Sequence, residues 1–198
     1  VDNEKPAGRV FYSWTVPEQV DELLRDRVLF TRSEQEGKGR GYLFTVLDEF
    51  ALRGNALAKV LSGPMMSKGR YAWTNAWSTR MGWEGEDYGD QLLKIVLRSE
   101  AYVARVAGGT IDVFDTAGNV VPTDVALANP ERLGAIFFIR EWTTGDSACG
   151  TFTNGWNGYR EFYLGNEAMV ESWSVGTPEV VADLRQQVAQ LSALRTWV

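Results

Sequence analysis

Gln91-Leu92-Leu93-Lys94-Ile95-Val96-Leu97 is an apolar run of strand length that follows the acidic stretch Glu84-Gly85-Glu86-Asp87. A continuous apolar run this short reads as a strand buried on both faces. Downstream, Ala101 to Val106 and Thr110 to Phe114 read as shorter strands, and Asp115-Thr116-Ala117-Gly118-Asn119 has the composition of a turn. Ala135-Ile136-Phe137-Phe138-Ile139 is a further buried strand. Glu161-Phe162-Tyr163-Leu164 and Met169 to Val175 make two more, divided by Gly165-Asn166. Upstream, Arg70-Tyr71-Ala72-Trp73-Thr74 is strand-like and follows the breaker Gly63-Pro64. Strands therefore dominate residues 70–175.

Helical spacing flanks this region. Residues 1–8 are polar and read as a flexible start, after which Arg9-Val10-Phe11-Tyr12-Ser13-Trp14-Thr15 is rich in aromatic and β-branched residues, as a strand is. Thr15 is placed to cap a helix with Pro17 and Glu18 in its first turn and Val20, Leu23 and Leu24 as its apolar stripe. Ser33 to Gly41 is charged and Gly-rich, a loop. Leu43, Val46, Leu47, Phe50, Leu57 and Leu61 follow at helical spacings, with Gly54-Asn55 as the expected break. Thr177 is placed to cap a closing helix through Leu194, with Val180, Val181, Leu184, Val188 and Leu191 on one face. Helices first, strands next and one closing helix predict an α+β fold: a mixed, mostly antiparallel sheet with helices packed on it. At 198 residues, with no linker-like stretch, residues 1–198 read as one domain.

Composition removes several functions. With 20 Lys+Arg against 26 Asp+Glu, the net charge of -6 gives no positive field to collect phosphates, so non-specific nucleic-acid binding is disfavoured. No apolar run approaches the roughly 20 residues of a membrane-spanning helix. The chain has no histidine, so Ser-His-Asp, Cys-His and His-ligated metal chemistry are excluded. Cys149 is the single cysteine, which excludes an intrachain disulfide and a cysteine-cluster zinc site and reads as an inert thiol. The acidic run Glu84, Glu86, Asp87 and Asp90 lacks the spacing of a helix-loop-helix calcium site and reads as a solvated turn; no metal is expected. No phosphate-cradling glycine fingerprint is present, and Lys38-Gly39-Arg40-Gly41 reads as loop. Val1 in place of an initiator Met reads as a trimmed or processed start, which leaves a cytoplasmic and an exported location both open.

Two segments combine aromatic rings with small polar groups. Trp73, Trp77, Trp83 and Tyr88 lie beside Asn75, Ser78, Thr79 and Arg80, and Thr151 to Tyr163 carries Trp156 between glycines and leads to Glu161. Rings stack on flat ligands while small polar groups orient them, so these segments predict a cleft reported by Trp73, Trp77 and Trp156. The alternative is that the rings fill the core beneath a loop, and that Glu161 is a surface charge or a partner of Arg160.

Three pieces in order resemble the core of the ADP-ribosyltransferase-like superfamily, the likeness being one of layout across residues 9–175. Phe11 to Thr15 with the following helix is similar to the first strand and helix, where the family holds the NAD ribose with His or Arg; Ser13 stands there in this chain. Arg70 to Thr74, the segment to Tyr88 and the strand Gln91 to Leu97 resemble the second part, in which a strand ends in a Tyr or a Ser-Thr pair. Tyr71 and Thr74 match, with Ser78-Thr79 as the other reading. Arg160 to Leu164 and the strand to Val175 resemble the third part, where a Glu near a strand start acts on the nicotinamide ribose. Glu161 matches, while Tyr159 occupies the place, two residues earlier, of a frequent acidic or amide residue.

The resemblance implies that NAD is the substrate and that Glu161 stabilises the positively charged sugar formed as nicotinamide leaves. It implies an acceptor that is a nucleotide or a protein. Arg9, four residues from Ser13 and on the same face by strand alternation, is the residue placed to share the anchoring. Tyr71 or a nearby Trp would stack on the nicotinamide. The competing class is a non-catalytic binding or interaction protein with an aromatic-lined cleft, an exported surface protein among its forms. Glycoside hydrolysis by two carboxylates roughly 5–9.5 Å apart ranks last.

Overall fold

Burial with a period of two builds the sheets. The computed structural model describes residues 5–30, 42–63, 68–72, 91–107, 109–141, 158–183 and 186, with the backbone alone at 42, 139–141 and 158–161. β1 (Val10–Thr15) and β3 (Gln91–Leu97) pair antiparallel, Phe11 opposite Ile95 and Ser13 opposite Leu93. β9 (Val170–Val175) pairs antiparallel with the other edge of β3, giving a three-stranded sheet ordered β1-β3-β9.

The second sheet has six strands. It uses β2 (Arg70–Ala72), β4 (Tyr102–Ala107), β5 (Thr110–Asp115), β6 (Val120–Val121), β7 (Leu133–Glu141) and β8 (Gly158–Leu164), in the order β2-β8-β7-β4-β5-β6. Every pair is antiparallel except β4 with β7. A parallel pair needs a crossover, here supplied by β5, β6 and the short helix that follows them.

Helices cover the outer face of the six-stranded sheet. α2 (Tyr42–Leu52), α3 (Ala56–Leu61) and α4 (Thr123–Ala128) pack Leu43, Leu47, Leu57, Leu61 and Ala126 on one face of the six-stranded sheet, against Val106, Val113, Ile136 and Tyr163. On the opposite face Val103, Ala135, Phe137 and Phe162 meet Phe11, Leu93, Ile95 and Leu97 of the three-stranded sheet, with Val20 and Leu23 of α1 (Pro17–Asp26) in the same cluster. The outer face of the smaller sheet is covered where Trp14 and Leu92 meet Val181 of the closing helix, described over residues 178–183. The layers run helix, sheet, sheet, helix, and the class is α+β.

Local chemistry explains the element ends. The Gly54-Asn55 break is present: Gly54 has φ +90°, and the Asn55 side chain accepts the Ala58 N–H at 3.0 Å to cap α3. The Thr177 hydroxyl accepts the Val180 N–H at 3.4 Å, as a cap should. Thr15 does not cap α1. The boundary residue is the extended Val16, and the Thr15 hydroxyl donates instead to the Gln19 side-chain oxygen from a buried place in β1. Leu24 and Val180 also depart from the expected stripes, since both are about half exposed while Leu23 and Val181 beside them are buried. Leu184, Val188 and Leu191 lie outside the described residues.

Candidate functional site

Strand directions gather several chain ends at one rim. Thr15, at the end of β1, is opposite Gln91 at the start of β3. Ala72, at the end of β2, is opposite Phe162 within β8, and Glu141 at the end of β7 is opposite Gly158 at the start of β8. The chain therefore leaves this rim after Ala72 and returns at Gln91, then leaves after Glu141 and returns at Gly158. Those departures bound the two polar-aromatic segments of the sequence. Trp73, Thr74, Asn75, Trp77, Ser78, Thr79, Arg80, Trp83, Tyr88 and Trp156 all lie outside the described residues, as do the acidic stretch 84–90, Cys149 and the 33–41 loop.

Ser13 and Thr15 are the buried polar side chains of the described residues. Alternation along β1 puts both on the face of Phe11, between the sheets. The Ser13 hydroxyl donates to the Tyr71 carbonyl oxygen at 2.9 Å and so joins β1 to β2. A hydroxyl has one proton and two lone pairs. With the proton committed to Tyr71, Ser13 can accept a further hydrogen bond but cannot donate one.

Tyr71 brings its ring to the helical face of the six-stranded sheet. It stands edge-on to Tyr163 at 5.2 Å between centroids and to Phe138 at 6.2 Å. Burial raises the Tyr163 phenol well above its ordinary pKa, so that ring stays neutral and acts as packing. Glu161 is placed by its backbone: it pairs with Phe138 on β7 and directly precedes Phe162, the residue opposite Ala72. Phe162 is locked from two sides, edge-on to Phe11 at 4.9 Å and stacked on Phe137 at 4.8 Å. The main chain beside Glu161 is thereby held against both β1 and β7.

Arg9 is not brought to this rim. Four residues of strand separate it from Ser13 by about 13 Å. Its Nε donates to the Leu97 carbonyl at 2.8 Å and its guanidinium pairs with Glu171 of β9. The rim contains two features that sequence reading did not assign, the Thr15–Gln19 pair and the Phe11–Phe162–Phe137 stack. The alternation of Phe11, Ser13 and Thr15 was the signal for the first. The second needed the sheet order.

No group of three or more Cys, Asp or Glu side chains suited to a metal gathers among the described residues, and no helix among them is long and apolar enough to cross a membrane. No family model, curated protein or solved structure matches this chain.

Proposed function

We propose that this chain is an ADP-ribosyltransferase-like protein that binds NAD at the rim and breaks its nicotinamide–ribose bond, with Glu161 as the carboxylate that stabilises the reacting sugar. One observation carries the reading. The three segments on which the resemblance rests are remote in sequence, Ser13 and Tyr71 alone being 58 residues apart, yet their strands are neighbours: β1 bonds to β2 and β2 pairs with β8. Chance likeness between three short motifs gives no reason for them to meet.

The chemistry needs few groups. As the bond between ribose C1′ and the nicotinamide nitrogen breaks, its electron pair leaves with neutral nicotinamide and positive charge develops on the sugar. A fixed carboxylate favours that charged state over the neutral ground-state ribose, and this difference is what lowers the barrier. Water or an acceptor hydroxyl, amine or thiol then adds to C1′ and loses its proton to solvent.

A second reading has its own support. Arg9, the residue before β1, is engaged with Glu171 and the Leu97 carbonyl, and β1 itself carries no charged residue. That arrangement suits a binding protein without chemistry. Nicotinamide release from NAD by the wild type and by Glu161→Gln separates the two. Under the proposed function, turnover falls roughly 10²–10³-fold in the variant while NAD binding persists. Equal release removes Glu161 from the mechanism. Absence of release together with no NAD-dependent rise in thermal midpoint leaves the binding protein standing.

A further inference from the structure

We infer that Ser13 is a positioning residue: its hydroxyl fixes β2, and through β2 the final residues of β8, Phe162 to Leu164, against β1. The inference rests on the function proposed above and adds a residue that acts on Glu161 at a distance.

The two sheets meet where β1, the end strand of one, faces β2, the end strand of the other. Among the described residues no backbone ladder joins these strands, so the register that a ladder would impose is lacking at this junction. The Ser13 side chain bonds across it, and beside it Phe11 of β1 meets Phe162 of β8, the strand next to β2. The Phe11–Phe162 contact is apolar and tolerates sliding, because burial depends on area and not direction. The Ser13–Tyr71 bond, at 2.9 Å, has strict distance and angle requirements and so is directional. Ser13 is 3% exposed, so water is poorly placed to replace the bond once it is lost.

What is fixed at Tyr71 is carried onward by pairing. Tyr71 is opposite Tyr163 and Ala72 opposite Phe162, and the residue preceding Phe162 on β8 is Glu161. A shift of β2 along β1 therefore pulls on the β8 backbone next to Glu161, which β7 and the Phe11–Phe162 contact hold from the other side. A reacting group moved by about 1 Å loses up to roughly 100-fold in rate with little effect on binding elsewhere.

The test compares Ser13→Thr, which keeps the hydroxyl, with Ser13→Val, which has the same branched shape without it. Ser13→Ala serves as a second hydroxyl-free variant with less bulk. Two readouts are taken on the whole chain: hydrogen–deuterium exchange of the β2 amides relative to those of β4, and kcat and KM for nicotinamide release from NAD. Val and Ala are expected to raise β2 exchange about tenfold over β4, as loss of one local hydrogen bond does. They are expected to lower kcat about tenfold or more with KM within about threefold, and Thr to restore both. Wild-type behaviour in Val and Ala overturns the inference. A raised KM at unchanged kcat also overturns it, since Ser13 would then be a binding group. If the wild type releases no nicotinamide, the proposed function fails by itself, and β2 exchange still decides whether Ser13 holds the junction: unchanged exchange overturns the inference and a tenfold rise upholds the positioning of β2.

Discussion

The contact between Phe11 and Phe162 offers a direct measure of how the two sheets are joined beside Glu161. Phe11 is 1% and Phe162 7% exposed, their centroids lie 4.9 Å apart at 62°, and Phe162 also stacks on Phe137 at 4.8 Å. Replacing either ring by Leu removes aromatic area from a closed site and should cost about 1–2 kcal/mol, with Phe162→Leu the larger because two ring contacts are lost. An edge-to-face pair adds about 0.5–1.5 kcal/mol beyond area, so the double variant should lose less than the sum of the singles by that amount. For a chain of this size 1 kcal/mol moves the thermal midpoint by roughly 2–4 °C, which makes the singles easy to resolve. Urea unfolding followed by far-ultraviolet circular dichroism gives the free energies. Leu47→Ala, in the cluster on the other face of the six-stranded sheet, should combine additively with Phe162→Leu. A Phe11–Phe162 coupling below about 0.3 kcal/mol would mean that the rings do not meet, and the packing of one sheet on the other would have to be redrawn.

Two further outcomes follow from the same geometry. A Cβ on Gly69 would lie 2.5 Å from the Leu164 carbonyl oxygen and nearer still to the Tyr163 ring, so Gly69→Ala should cost about 3 kcal/mol or more in the same unfolding assay, and a loss under about 1 kcal/mol would contradict the seating of β2 on β8. The Asp115 carboxylate accepts the Asn119 side-chain amide at 2.9 Å, the Asn119 N–H at 2.8 Å and the Ala117 N–H at 2.9 Å, which together hold it below its ordinary value of 3.8. The unfolded chain therefore binds that proton first as pH falls, so the stabilisation is full above about pH 4 and is lost as pH drops through the lower folded value. Asp115→Asn should flatten the fall of the thermal midpoint from pH 5 towards pH 2, and identical acid limbs in variant and wild type would refute the assignment.

Much of the fold could be read locally because its strands are short apolar runs set between turn residues. Gln91–Leu97, Thr110–Asp115 and Val170–Val175 fall close to where β-branched content and glycine or aspartate breaks put them. The split into two sheets was not legible, because it depends on which edges pair, and the parallel β4–β7 contact joins runs separated by β5, β6 and α4. Helix α4 was missed for a different reason: six residues give less than two turns, too few for a period to show. Thr15 shows how one residue type can serve two readings. Its hydroxyl is suited to an N-cap, but burial at the end of β1 and a glutamine one turn ahead gave it a side-chain partner instead.

The site was legible as types of residue and not as distances. Alternation puts Arg9 on the face of Ser13, but period two is silent about the roughly 13 Å of chain between them. It is equally silent about Glu171, 162 residues away, which reaches Arg9 only because β9 lies beside β3. With that pair formed and its Nε on the Leu97 carbonyl, Arg9 is tied to β3 and β9 instead of to the strand end where Ser13 lies. What β1 does carry is a buried hydroxyl whose proton is given to the Tyr71 carbonyl, a tie between strands 58 residues apart that alternation along one strand has no way to announce.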